Sequence, residues 1–302
     1  MDEIDPYVKC VLFPIPYFEK ETLQKYKSGI IQIPTERKNP ETNAVEKIPC
    51  YFQKNQNSKN ILIIFHGNGS DFLNLPYYLP EISQKYNINI LLPEYPGYSI
   101  YKSPISHEKC LENSLIIYDY ILHNIKNITE NNIYVLGRSL GSSVAIYLGS
   151  KRNPAGVFTI SAFTTFASVG VHDEETKKSL INFFRSIDYV DKINSPILFV
   201  HGKEDPLVKY EESKILYEKC NGNIKKKEII LIEHMAHNFL YEKLKNDIIP
   251  PIADFAEKYC SLNKEKNNDE LIIDFEKNIF ISDDEINIII DYFNNKLKKI
   301  CW

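Results

Sequence analysis

The sequence predicts an α/β fold built on a mostly parallel β-sheet, and three observations indicate it. Short β-branched runs alternate with longer amphipathic stretches, which is the pattern of strand–helix–strand units. Most of the strand-like runs are apolar at nearly every position, as strands buried on both faces are. The chain has 302 residues, of which 43% are hydrophobic, and this suits a single large sheet covered by helices on both faces.

Eight strands and five helices are predicted. The clearest strands are 60–65, 88–92, 133–136, 157–160, 197–201 and 228–232. Two weaker runs, 29–33 and 48–52, are predicted to form an antiparallel start to the sheet. The amphipathic stretches predicted as helices are 73–86, 108–125, 140–151, 211–220 and 239–259. Between the strands that end near 160 and begin near 197, a sheet-covering helix must also fit, so we expect only a short cap there.

Residues 1–260 are predicted to form one domain, followed by a linker and a C-terminal helical extension over 261–302. The linker is the polar and charged stretch "SLNKEKNNDE" (261–270). After it, the region 283–297 has the pattern of an amphipathic helix. Its apolar stripe consists of Ile286, Ile289, Ile290 and Phe293. We expect this stripe to dock on the main domain rather than to recruit a partner.

Charge and cysteine content limit the classes of function. The net charge is −4 and the pI is about 6.0, so no basic field indicates a nucleic-acid partner. The six cysteines are widely spaced, without a CxxC pair, which favours free thiols in a reducing compartment. The N-terminus "MDEIDPYVKC" lacks the basic region of a signal peptide, and no apolar run approaches the length of a membrane span. We therefore expect a cytoplasmic protein.

"GRSLG" (137–141) places a serine between two glycines, after the apolar run "IYVL" and before a small-residue helical stretch. A nucleophilic serine on a sharp strand-to-helix turn has this context, because side chains two residues on either side would collide. Ser139 is therefore the candidate nucleophile. The alternative is a serine that caps a helix.

A serine hydroxyl needs a base, and the base needs an acid to orient it. "EHMAHNF" (233–239) follows the last predicted strand and supplies His237 as the base, with His234 as second choice. "HGKEDPLV" (201–208) supplies Asp205 in the turn after a strand, while the adjacent Glu204 is expected to point away. The other histidines, among them His66 at a strand end, are assigned to turns and helices.

Two backbone N–H groups are predicted to form an oxyanion hole, the site that stabilises negative charge on the reacting oxygen. One belongs to Leu140, the residue after the nucleophile. The other comes from the loop "HGNGSD" (66–71), where Asn68 is the first choice and Gly69 the second. The alternative for this loop is a turn or a phosphate-binding loop, but the lysine of a Walker loop is missing.

The chain resembles the α/β-hydrolase family of serine hydrolases, and within it the branch that contains the intracellular protein depalmitoylases (palmitoyl-protein thioesterases). The resemblance covers about residues 10–260. The matching stretches are "FPIPYFEK", "IIFHGNGSD", "LLPEYPGYS", "IYVLGRSLGSSVAIYL", "SPILFVHGKEDPLV" and "HMAHN". Glu94 stands where this branch usually has aspartate, and Ala236 where glycine commonly precedes the histidine. The cysteine-rich N-terminal anchor of many depalmitoylases has no counterpart here.

The resemblance implies hydrolysis of acyl esters or thioesters, with an acylated protein or lipid as substrate and no cofactor or metal. Phe163 and Phe166 are expected to line an apolar groove for the acyl chain; the alternative is that both pack in the core. The segment 10–18 either packs on the domain or contacts a membrane surface peripherally, with Cys10 as a candidate for acylation. Other functions left open are a small-lipid esterase or lysophospholipase, a serine peptidase of the same fold, and a non-catalytic binding module.

Overall fold

An eight-stranded sheet forms the centre of the computed structural model. The structure describes residues 13–14, 20–38, 43–73, 77–170, 173–220, 226–260, 262, 281–282 and 285–286. The strands are β1 (Ile30–Lys38), β2 (Val45–Gln53), β3 (Ile61–Phe65), β4 (Asn89–Pro93), β5 (Ile133–Arg138), β6 (Gly156–Ile160), β7 (Ile197–Gly202) and β8 (Lys227–Ile232). Their order across the sheet is β1-β2-β4-β3-β5-β6-β7-β8.

Strand direction divides the sheet into a short antiparallel start and a parallel remainder. β2 pairs antiparallel with both β1 and β4, with Ile30 opposite Tyr51 and Cys50 opposite Pro93. All pairs from β4 to β8 are parallel. The carboxyl ends of these parallel strands therefore meet at one edge of the sheet, where ligands of such folds bind. The predicted mostly parallel eight-stranded α/β architecture is confirmed.

The described helices are α1 (Lys20–Tyr26), α2 (Leu79–Lys85), α3 (His107–Asn124), α4 (Leu140–Lys151), α5 (Glu174–Leu180), α6 (Tyr210–Lys219), α7 (Tyr241–Lys243) and α8 (Ile249–Tyr259). The helix predicted over 239–259 is present as one continuous helical segment over 241–259, in which a π-helical turn over Leu244–Ile248 joins α7 to α8. Pro250 and Pro251 lack the N–H groups that a continuous α-helix would use. The helix predicted over 73–86 starts only at Leu79, with a proline in its first turn.

Helices cover both faces of the sheet, as predicted. Successive residues of β5 alternate between two hydrophobic clusters, with Ile133 and Val135 in one and Tyr134 and Leu136 in the other. The first cluster includes the buried faces of α3 and α4, and the second includes those of α2 and α8. The strands are therefore buried on both faces, which explains their nearly continuous apolar sequences.

The interval between β6 and β7 carries a small cap. Its described part contains the seven-residue helix α5 and three single 3-10 turns, at Phe166–Ser168, Ser186–Asp188 and Val190–Lys192. Asp173 caps α5 by accepting hydrogen bonds from the N–H groups of Glu175 and Thr176. A cap of this size agrees with the short cap expected from the spacing.

The C-terminal extension touches the main domain at its few described residues. The side chain of Ile286 is fully buried in the second hydrophobic cluster. The N–H of Ile281 donates to the carbonyl of Ile30, and Lys47 lies 3.5 Å from Glu285. These contacts place Ile281 and Glu285 against β1 and β2. The other residues of the predicted stripe, Ile289, Ile290 and Phe293, lie outside the described residues.

The N-terminal segment 10–18 is described only at Phe13 and Pro14, and Cys10 lies outside the described residues. Phe13 is buried and makes edge-to-face contacts with Tyr98 and Phe184, at centroid distances of 6.4 Å and 6.2 Å. At this residue the segment packs on the domain. Of the described chain, no helix is long and apolar enough to span a membrane.

Four cysteines are described, and all are free thiols buried in the interior: Cys50, Cys110, Cys220 and Cys260. Burial raises the pKa of each thiol, to about 11 for Cys220 and about 12 for Cys260. A buried, protonated thiol is a poor nucleophile. These cysteines are therefore part of the core rather than reactive groups.

Candidate active site

Ser139 stands on a sharp turn between β5 and α4 at the carboxyl edge of the sheet. Its backbone has φ +52° and ψ −117°, a conformation that L-residues rarely adopt. The Ser139 N–H donates to the carbonyl of Ile160 on the neighbouring strand at 2.8 Å, which holds the turn in place. The predicted strand-to-helix context of this serine is therefore present.

The two glycines of "GRSLG" are required by close backbone approaches. A Cβ on Gly137 would lie 2.1 Å from the carbonyl oxygen of Gly141. A Cβ on Gly141 would lie 2.1 Å from the carbonyl oxygen of Phe65 on β3. Real Cβ atoms do not come so close to backbone oxygens, so any other residue at either position would force the turn apart.

Ser139, His237 and Asp205 come together in one hydrogen-bonded chain. His237 Nε2 lies 3.1 Å from Ser139 Oγ, and His237 Nδ1 lies 2.7 Å from Asp205 Oδ2. Asp205 lies in the turn after β7 and His237 in the loop after β8, so adjacent parallel strands deliver both residues. Each of the three residues is about 95% buried or more. A carboxylate on Nδ1 fixes the tautomer in which Nε2 accepts the serine proton.

Asp205 is held as a carboxylate by several donors. Its Oδ1 accepts the N–H groups of Leu207 and Val208 at 2.9 Å and 2.8 Å. Burial raises the pKa of Asp205, but hydrogen bonds from His201, His237 and the Val208 N–H lower it more, and the pKa lies well below its usual range. The carboxyl is therefore charged at neutral pH, as a partner for an imidazolium must be.

The second choices for base and acid pair with each other instead. His234 Nδ1 lies 2.6 Å from Glu204 Oε1, and both side chains are mostly exposed. Glu204 thus points away from His237, as expected from the sequence. Neither residue has a hydrogen bond to the Ser139–His237–Asp205 chain among the described contacts.

Of the predicted oxyanion donors, Leu140 directly follows Ser139, and Asn68 follows Gly67, whose Cβ position would lie 3.6 Å from Ser139 Cβ. Leu140 is the first residue of α4, so its N–H has no partner within the helix. Tyr98 donates its hydroxyl to Asn68 Oδ1 at 2.8 Å, and the backbone of Gly69 hydrogen-bonds the same phenol. The Gly69 amide already hydrogen-bonds Tyr98, and the choice of Asn68 as the second donor stays a prediction.

The loop "HGNGSD" is fixed to the loop "EYPGYS" by a buried pair. His66 Nε2 lies 3.0 Å from Glu94 Oε1, and the Tyr95 hydroxyl donates to the carbonyl of His66 at 2.8 Å. Glu94 also accepts the Tyr95 N–H at 2.8 Å and the Phe72 N–H at 3.3 Å. These bonds give a physical reason for finding the two motifs together in one sequence.

Arg138, inside the "GRSLG" motif, is a residue whose role the sequence reasoning missed. Its Nη2 donates to the carbonyl of His237 at 2.7 Å and to Asn238 Oδ1 at 3.0 Å. Its guanidinium lies over the ring of Phe239, 5.2 Å from the centroid. Because Arg138 directly precedes the candidate nucleophile, its position in the motif could have indicated a role in the site. Arg138 ties the loop that carries the candidate base to the end of β5.

Phe163 and Phe166, predicted to line an acyl groove, are buried in the core. They are 0% and 3% exposed and contact each other edge-to-face at 5.8 Å. Phe166 also contacts Phe184, whose ring packs against Phe13. This environment matches the alternative stated above, packing in the core, and a substrate-binding role for the pair stays a prediction.

A partly exposed apolar rim lies on the histidine side of the site instead. We define it as Tyr77, Tyr78, Leu240 and Tyr241, of which Tyr78 and Tyr241 are half-buried. Tyr78 stacks on Tyr241 at 5.1 Å and contacts Tyr77 at 4.7 Å. Tyr77 is 63% exposed and Leu240 is 82% exposed. Leu240 and Tyr241 follow His237 by only three and four positions, so the rim borders the candidate base.

Comparisons with known proteins agree with this architecture. The family model described as "Serine aminopeptidase, S33" matches residues 175–244, which include Asp205 and His237. An alpha/beta hydrolase of Acanthamoeba polyphaga mimivirus is 25% identical over 257 residues, covering 84% of this chain and 94% of the relative. Human alpha/beta hydrolase domain-containing protein 17B is 28% identical over 199 residues, covering 65% of this chain and 67% of the relative.

Solved structures decide the fold. An esterase of Pyrococcus furiosus superposes with a TM-score of 0.62 at 18% identity, covering 82% of this chain and 98% of the esterase. A monoacylglycerol lipase of Paleococcus ferrophilus gives 0.53 at 16% identity, covering 70% and 99%. This chain has the α/β-hydrolase fold. Together with the sequence relatives, the fold supports a hydrolase.

Proposed function

We propose that this α/β-hydrolase-fold protein is a serine hydrolase that cleaves acyl esters or thioesters. The observation that carries the proposal is the hydrogen-bonded chain from Ser139 Oγ through His237 to Asp205. The serine stands on the strained turn that exposes a nucleophile at the sheet edge. A non-catalytic binding module would have no need for a buried base and acid aligned on a serine in this way.

In the proposed reaction, His237 Nε2 takes the Ser139 proton while Ser139 Oγ attacks the acyl carbonyl carbon. The negative charge on the carbonyl oxygen is stabilised by the N–H groups of Leu140 and Asn68. When the intermediate collapses, His237 returns the proton to the leaving thiol or alcohol. Water then gives a proton to His237 and attacks the acyl carbonyl carbon. The bond from this carbon to Ser139 Oγ breaks, His237 returns the proton to Ser139 Oγ, and the carboxylic acid leaves. Asp205 stays ionised and stabilises the imidazolium throughout.

We propose long fatty acyl thioesters on proteins as the preferred substrates. The motifs shared with the protein depalmitoylases support this choice. The rim of Tyr77, Tyr78, Leu240 and Tyr241 supports it as well, because its exposed members, Tyr77 and Leu240, provide apolar contact for a fatty chain. The small cap leaves little protein to enclose a small soluble ester, and an open site admits a bulky protein leaving group.

Activity-based labelling tests the reaction class. The full chain is treated with a fluorophosphonate probe, and the labelled peptide is identified by mass spectrometry. We expect labelling at Ser139 in the wild type, none in Ser139→Ala, and unchanged labelling in Ser150→Ala, a serine at the far end of α4 whose hydroxyl donates to the carbonyl of Tyr147. Folded wild-type protein that takes up no probe would contradict the proposed serine hydrolase.

Competition with substrates then tests the substrate class. The panel contains palmitoylated peptide thioesters, monoacylglycerols, peptides and short acetyl or butyryl esters. The thioesters are expected to compete best. A preference for monoacylglycerols would favour the small-lipid esterase, and a preference for peptides would favour a peptidase. An enzyme that turns over only the short esters would remove the depalmitoylase assignment while leaving a general esterase.

A further inference from the structure

Arg138 is a cation beside the candidate nucleophile that has no carboxylate within 4 Å in the described part of the chain. Burial lowers the pKa of Arg138, and the more distant charge of Asp205 partly opposes that shift. Among the described contacts its Nη2 donates to the His237 carbonyl and to Asn238 Oδ1. Among the described residues, Nε and Nη1 have no hydrogen-bond acceptor, and no acidic side chain lies within 4 Å of the guanidinium. A guanidinium has five N–H donors. The three N–H donors on Nε and Nη1 are therefore available to a ligand.

These free donors are close to the reacting serine. Nη1 of Arg138 lies 2.8 Å from the point that a Cβ of Gly67 would occupy, and Ser139 Cβ lies 3.6 Å from the same point. Gly67 precedes Asn68, the candidate oxyanion donor. Because even one carbon atom at that point would be too close to Nη1, the guanidinium packs directly against Gly67, next to the serine and the oxyanion loop.

The surroundings of Arg138 strengthen its attraction for an anion. The ring of Phe239 covers one face of the guanidinium, and the chain around it is mostly buried. A charge pair formed away from bulk water is less weakened by the solvent. The twelve-residue helix α4 also begins at Leu140, so the positive end of its dipole points to the same region. The buried carboxylate of Asp205 is already engaged by His237 and by backbone N–H groups.

The position of Arg138 indicates which half of the substrate would reach it. His237 gives its proton to the leaving group, so the leaving group must lie on the His237 side of Ser139. Arg138 is bonded to that same loop through the His237 carbonyl and Asn238. An anion carried by the leaving group, close to the scissile bond, would therefore meet the free face of the guanidinium.

We propose that Arg138 forms an anion subsite for the leaving group. The preferred substrates are then acyl esters or thioesters whose leaving group carries a carboxylate or a phosphate near the scissile bond. Hydrolysis consumes one water, releasing the fatty acid and the anionic thiol or alcohol. This inference rests on the proposed serine hydrolase and narrows its substrate class. Arginine suits the role because its planar fork matches both carboxylate and phosphate oxygens.

Matched substrate pairs test the subsite and distinguish the two anions. The carboxylate pair is S-decanoyl-N-acetylcysteine and its neutral amide. The phosphate pair is decanoylglycerol 3-phosphate and decanoylglycerol. We expect the wild type to prefer the anionic member of at least one pair in kcat/KM. In Arg138→Gln this preference should fall about ten- to a hundredfold, the usual effect of losing a charge-assisted hydrogen bond.

Lys151→Gln is the matched control, because it removes the same charge from the exposed end of α4. This variant should keep the wild-type preference. If Arg138→Gln lowers kcat/KM equally for the anionic and the neutral member of each pair, Arg138 only holds the His237 loop in place. That result would overturn the subsite. A wild type without anionic preference would overturn it too.

A binding measurement serves if Arg138→Gln does not fold. The free leaving groups N-acetylcysteine and its amide are compared as inhibitors of wild-type turnover of a neutral ester, and the carboxylate should inhibit more strongly. Equal inhibition would contradict the subsite. If the proposed function is wrong, the result is different: Ser139 is not labelled and neutral esters are not turned over. In that case the subsite is wrong as well.

Discussion

His66 and Glu94 form a buried pair, with His66 Nε2 3.0 Å from Glu94 Oε1, that joins the two loops beside Ser139. His66 Nδ1 lies 3.0 Å from the Gly67 carbonyl, so the protonated ring donates on both sides. Burial lowers the pKa of His66, but the hydrogen bond and charge of Glu94 raise it more, and the net shift is upward. The pair therefore favours the folded state most when His66 is charged.

This upward shift predicts a stability that depends on pH. The contribution of His66 is complete below its unfolded pKa of about 6.5 and is lost as the pH rises through its higher folded pKa. The free energy of unfolding of the wild type should therefore fall, relative to His66→Gln, as the pH rises above about 6.5 and through the higher folded pKa of His66. Denaturant titrations at several pH values measure it. Parallel pH curves for the two proteins would contradict the prediction.

Variants of the hydrogen-bonded chain should separate reacting groups from their neighbours. Ser139→Ala and His237→Ala are expected to lower kcat by about 10⁴-fold or more, and Asp205→Asn by a similar order because the imidazole then takes the wrong tautomer. His234→Ala should stay close to the wild type, since His234 pairs with Glu204 at the surface. Steady-state kinetics on one acyl ester are sufficient. If the loss followed His234 instead of His237, the assignment of the base would be wrong.

The fold and the proposed reacting residues could be predicted because each rests on a short local pattern. "GRSLG" indicates a close backbone approach at Gly137 and Gly141 that no other residue permits. The continuous apolar runs indicate strands that are buried on both faces of the sheet. Asp205 and His237 follow from the order of the strands, because each lies just after a parallel strand and those strands are neighbours.

The features that the sequence left open depend on contacts that a sequence pattern does not encode. The strong apolar period predicts the helix over 241–259, but it does not show the π-helical turn that precedes Pro250 and Pro251. An apolar residue near the active site could be core or groove; Phe166 packs against Phe184 in the core, and its role in substrate binding stays a prediction. The contacts of Arg138 join residues a hundred positions apart, so the motif indicated its position but not its partners.

The acyl-chain contacts should depend on the exposed rim rather than on the buried phenylalanines. Leu240→Ser removes a side chain that is 82% exposed, so the melting temperature should not change. The kcat/KM for palmitoyl substrates should fall by about tenfold while that for butyryl substrates stays constant, which corresponds to one lost apolar contact. Phe163→Ala should instead lower the free energy of unfolding by about 3–5 kcal/mol, the usual cost of truncating a fully buried ring.

Thermal melting and the ratio of long-chain to short-chain kcat/KM distinguish these two outcomes. If Phe163→Ala is stably folded and loses only its activity on long-chain substrates, Phe163 lines the acyl groove, as predicted from the sequence. An unchanged chain-length ratio in Leu240→Ser would show that the rim does not contact the acyl chain.

The last prediction concerns the C-terminal extension, where Ile286 is fully buried in the cluster that lies against β1 and β2. Ile286→Ala should lower the free energy of unfolding by about 2–4 kcal/mol, because it leaves a cavity in that cluster. Truncation at residue 262 removes the contact entirely and should lower the melting temperature at least as much. Lys47→Gln is the control, since it removes only the partly exposed pair with Glu285 and should cost less than about 1 kcal/mol. A truncated chain as stable as the full chain would show that the extension does not stabilise the domain. It would instead favour binding of the apolar stripe to a partner protein.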